Sequence, residues 1–145
     1  MANPENRTLD ALLEMEDGAA AITATEVNSG GIKDLGSATA KFVGDLLVHV
    51  EAIDIAGDDE LYRLELQGST DAAFASGIEN LAVLELGANE ELATDTDVDS
   101  TIGTYVVPFT NKVGGRIYQY CRLKVVNSGV SSSITYSAYL TKRGD

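Results

Sequence analysis

A chain of 145 residues, 44% of them apolar, is long enough to fold as one domain around a real core. Ten Lys and Arg against 23 Asp and Glu leave a formal charge of −13, which repels nucleic acid and anionic membrane surfaces alike. The single cysteine excludes an internal disulfide, and no stretch approaches the roughly 18 apolar residues of a membrane helix.

The opening "MANPENRTLD" has no signal-peptide core, so the protein is expected to be made in, and stay soluble in, a cytoplasm. Residues 1–11 are polar and irregular and read as an N-terminal arm, leaving a single domain over residues 12–145. "TLDALLEMED" can be a short helix with Thr8 as N-cap and Leu9, Leu12 and Leu13 on one face. It can also be the arm entering a strand at Leu13 and Met15, the reading adopted because the helix would be of marginal length.

Short alternating segments follow. Ala20–Val27 is rich in Ala, Thr and β-branched residues, and Ile32–Leu35 comes after a Gly30-Gly31 turn. Lys41–Asp54 is the longest, with Phe42, Leu46, Val48 and Val50 facing one way and Asp45, His49 and Glu51 the other. Leu61–Gly68 places Tyr62, Leu64 and Leu66 on one face, and Leu81–Leu86 is a further apolar run. Thr104–Thr110 aligns Tyr105, Val107 and Phe109, and Pro108 within it marks an edge strand or a bulge, because proline donates nothing to a ladder. Arg116–Val126 and Ser133–Lys142 read as two long strands joined by "NSGVSS". Many short strands with Gly, Asn, Asp and Ser turns predict an all-β sandwich or barrel.

Groups able to carry chemistry are few. His49 is the only histidine and falls on the polar side of its strand, without the nucleophile or further ligands of a triad or zinc site. Cys121 shares a side with Ile117, Leu123 and Val125 and is expected in the core. Asp95, Asp97 and Asp99 have the D-x-D-x-D spacing of a calcium loop, but Ser100 replaces the turn glycine and Val106 the closing glutamate. An acidic, solvated loop is the better reading, with a weak, adventitious calcium site as the alternative. Ser69, Thr70 and Asp71, at the end of a strand, are expected to bond their own backbone as a turn. The final Arg143-Gly144-Asp145 is too short to signify adhesion, and Asn6-Arg7-Thr8 is a glycosylation sequon without a secretory context. No catalytic residue, cofactor or metal ligand is expected.

The order of segments resembles the small jelly-roll capsid cement (decoration) proteins of tailed bacteriophages. "LLEMEDGAAAITATEVNSGGIKDLG" is similar to that family's opening strands, "LELQGSTDAAFAS" to its central strand and the polar turn after it, and "GRIYQYCRLKVVNSGVSSSITYSAYL" to its terminal hairpin. Together these span most of Leu12–Leu140. The resemblance implies a jelly-roll-like antiparallel β-sandwich, assembled as a homotrimer on the outer capsid surface of a virion, where it locks neighbouring major capsid protein subunits together without a cofactor. Arg7, Leu9, Leu12 and Leu13 on the arm are then the foremost candidates for capsid or subunit contact, with Arg116 and Tyr118 behind them. Two departures are the long N-terminus and the acidic loop from Gly87 to Gly103. The rival readings are another virion or assembly β-protein, a carbohydrate-binding β-sandwich, and a jelly-roll hydrolase. A sugar-binding module usually presents aromatic platforms, and this chain has no Trp.

Overall fold

Alternation of apolar and polar side chains gives every long strand one face that must leave water, and two such faces closed on each other make the core. A computed structural model describes residues 13–36, 39–88, 91–92 and 99–143, so the expected arm lies outside the described residues. The chain runs from β1 (Glu14–Asp17) through two short pieces, β2 (Glu26–Val27) and β3 (Lys33–Asp34), into the long β4 (Val43–Ile53). Next come β5 (Leu61–Ser69), β6 (Glu79–Gly87) and β7 (Gly103–Thr110), then a small hairpin of β8 (Lys112–Val113) and β9 (Arg116–Ile117). β10 (Tyr120–Ser128) and β11 (Ile134–Lys142) finish the fold.

One sheet has the order β1-β11-β4-β7; the other has β2-β10-β5-β6, with β3 also pairing β10. All pairs are antiparallel. Because β2 and β3 both lie against β10, they act as two pieces of one interrupted strand, and the wrap is that of a jelly roll. The expected all-β sandwich is the fold.

The core draws on both sheets. Leu46, Val48 and Val50 of β4 and Tyr136, Ala138 and Leu140 of β11 meet Tyr62, Leu64 and Leu66 of β5 and Cys121, Leu123 and Val125 of β10. Burying each large aliphatic side chain contributes about 1.5–3 kcal/mol, so this shared interior holds the sheets together. Phe42 and Phe109 stack at its end with ring centroids 5.6 Å apart. β4 is central, between β11 and β7, and its inward set is the one the alternation predicts. Pro108 does lie on an edge strand, since β7 pairs only with β4 among the described residues.

Three expectations need correction. Arg116–Val126 is not one strand. Gly114 and Gly115 both have positive φ (56° and 80°), which suits the two-residue turn of a hairpin and returns β9 onto β8. Asn111, fully buried, then holds the interruption: its Oδ1 accepts the Phe42 N–H and its Nδ2 donates to the Tyr118 carbonyl. Second, β10 and β11 do not form a hairpin; β10 pairs with β5 and β11 with β4, so residues 129–133 cross from sheet to sheet. Third, Ala20–Val27 yields only β2 and an isolated bridge from Ile22 to Ile134. Asp45 is on the outward side of β4, where alternation places it, yet only 2% exposed, because Arg143 covers it at 2.6 Å.

Candidate functional site

The side chains best suited to chemistry are already committed within the domain. Cys121 is fully buried, and loss of hydration pushes its thiol up to about 12, where no thiolate forms near neutrality. His49 is exposed and its Nδ1 lies 3.0 Å from Thr104 Oγ1 across the β4–β7 pair, a surface contact of two neighbouring strands. Ser69 Oγ donates to the Ser76 carbonyl and accepts the Asp71 N–H, while the Asp71 carboxylate accepts from Ala73 and Ala75. Those bonds fold residues 69–76 into a self-capped turn, with Phe74 tucked beneath Arg122, whose guanidinium lies 4.6 Å from the ring centre. Asp95 and Asp97 lie outside the described residues, while Ser100 accepts the Gly87 N–H at 3.0 Å. No group of three or more His, Cys, Asp or Glu gathers at metal-binding distance among the described residues.

The expected contact residues separate. Arg7, Leu9 and Leu12 lie outside the described residues. Leu13 packs, partly buried, against the core at the entrance to β1. Arg116 is exposed on the β8–β9 hairpin. Tyr118 is only 7% exposed, because Asn111 holds its backbone on both sides, so its ring serves the fold first.

Two surface features escaped the sequence. A shallow groove of about 310 Å³ crosses the outer face of the first sheet, lined by Leu47, His49, Thr104, Ser137 and Tyr139. These are outward positions of three neighbouring strands, so alternation names them but only the sheet order makes them neighbours. The Tyr139 hydroxyl donates to Glu14 at 2.8 Å, and that carboxylate raises the phenol above its usual range. The second feature is an open side of the sandwich. β6 and β7 are adjacent, each at the edge of its sheet, and carry outward Val83 (37% exposed) and Val106 (45%), with Ile102 (65%) just before β7. Unpaired strand edges with apolar residues are natural assembly surfaces, and Pro108 limits direct strand addition there. The sequence signal for this side was the pair of Val83 and Val106 on otherwise polar faces.

No protein-family model matches the chain, and no curated protein matches it.

Proposed function

We propose that this protein is a structural virion component, a cement protein that binds the outer surface of a tailed-phage head as a homotrimer and ties neighbouring major capsid subunits together. The observation that carries the reading is the strand order, β1-β11-β4-β7 against β2/β3-β10-β5-β6, which is the jelly-roll wrap implied by the resemblance over Leu12–Leu140. The charge of −13 supports an outer rather than a DNA-facing position. Cementing needs contact area, and the β6 and β7 edges, with Val83 exposed on one sheet and Ile102 and Val106 on the other, offer apolar positions to a second copy, while Arg116 offers a cation to the capsid. A protein that binds only the closed lattice stabilises it by mass action, about 2.7 kcal/mol per site at a hundredfold excess over Kd.

A second reading, a carbohydrate-binding module, is favoured by the groove of Leu47, His49, Thr104, Ser137 and Tyr139, which sets a phenol, an imidazole and two hydroxyls along one sheet face. Sedimentation of the free protein, followed by pelleting with phage heads that lack it, separates the two. A trimer that co-pellets supports cementing. A monomer that stays in the supernatant and is retarded on a polysaccharide gel transfers the assignment to the second reading.

A further inference from the structure

At the corner where β4 turns into β5, Asp59 and Glu60 bring two carboxylates together. Glu60 is 1% exposed; its Oε1 accepts the Gly57 N–H at 2.9 Å, and its buried Oε2 has no hydrogen-bond partner. Asp59 Oδ2 accepts the Val130 N–H at 3.2 Å, and its Oδ1 is likewise buried and unpartnered. Both carboxylates converge on Gly57, where a Cβ would sit 2.6 Å from Glu60 Oε1 and 2.8 Å from Asp59 Oδ1. Gly57 has no positive φ, so glycine here is a matter of space rather than of backbone conformation.

Buried charges are stable when paired or when they coordinate a metal. Arg63 pairs with Glu65 and Arg143 with Asp45, away from this corner. We infer that this corner is a divalent-cation site, that Glu60 and Asp59 supply its two carboxylates, and that calcium is the ion it fits. Calcium takes six to eight oxygens in irregular geometry and accepts water and backbone carbonyls for the remainder, whereas magnesium demands a near-ideal octahedron. With only two carboxylates the affinity belongs at the weak end of calcium sites, a Kd of about 10⁻⁴–10⁻³ M. The ion would fasten three connections at one end of the sandwich. Asp59 bonds Val130 in the β10–β11 crossing, and the Glu60 carbonyl accepts the Ala88 N–H just after β6.

The test is thermal unfolding of the full chain in EDTA, in calcium chloride, and in sodium chloride of matched ionic strength, which controls for screening of the acidic surface. With about 10 mM calcium and a Kd of about 1 mM, Tm rises by about 4 °C over the salt-matched sample. Glu60→Gln and Asp59→Asn each abolish the rise while keeping the folded signal in EDTA. The Val130 amide resonance shifts on calcium titration of the parent protein, a readout that needs no variant to fold. Equal Tm in calcium and matched salt, a rise that survives both substitutions, or an unmoved Val130 amide overturns the assignment.

Discussion

Val48 and His49 are consecutive in β4 and point to opposite faces, one wholly enclosed and the other in solvent. Val48→Asp places an unpaired charge between the sheets and unfolds the domain, at a cost of more than about 4 kcal/mol. His49→Ala loses one surface contact with Thr104 and changes stability by no more than about 0.5 kcal/mol. Urea denaturation of the two variants checks this, and equal effects would overturn the register. Cys121 gives the pH dependence. Burial raises its thiol to about 12, while an unfolded cysteine titrates near about 8.5. The unfolded chain therefore loses its proton first: the contribution is fully present below pH ~8.5 and is lost as pH rises toward 12. Tyr136 and Tyr62 are raised by burial too and add to the loss above pH ~10. Stability should fall by about 1.4 kcal/mol per pH unit per ionising group in that window. Cys121→Ala should flatten the fall between about pH 8.5 and 10; parallel curves for parent and variant would contradict the thiol's part.

At the scale of elements, Asn111 is the residue on which the end of the sandwich turns. It satisfies the Phe42 N–H at 2.7 Å and the Tyr118 carbonyl at 3.0 Å from a fully buried position. Asn111→Ala leaves two buried backbone groups unpaired and should cost about 2–4 kcal/mol by urea denaturation. A loss below about 0.5 kcal/mol would show that water replaces the amide. Individual strands were legible in the sequence because burial of one face imposes a period of two, as in β4, β5 and β7. Their partners were not, because alternation says which side chains leave water and nothing about which strand lies beside them. β10 and β11 follow each other with a turn-like link and yet join different sheets, each finding its partner far back in the chain. The Gly114-Gly115 hairpin was readable as a two-glycine turn, but the long alternation around it masked the break. The same limit hid the candidate surfaces. The groove takes residues from β4, β7 and β11, and the enclosure of Tyr118 depends on Asn111, which only the fold brings beside it.

The whole molecule is an acidic jelly roll in which Cys121 is buried and Ser69 and Asp71 bond their own turn, while exposed apolar side chains stand at several places, from Val27 and Ile32 to Val106 and Val130. Such a surface suits the proposed role, which depends on contact area. Every described strand begins after residue 13, so removing residues 1–11 should leave Tm within about 2 °C. If the arm contributes the contacts expected of Arg7 and Leu9, the same truncation weakens attachment to heads in a pelleting assay. A large drop in Tm would instead make those residues part of the folded domain. The central claim, that the protein reinforces a closed capsid from outside, is tested most directly by the temperature at which DNA-filled heads release their DNA, with and without saturating protein. Cementing predicts a clear upward shift that reaches a plateau once the sites fill, and the same rupture temperature in both samples would contradict it.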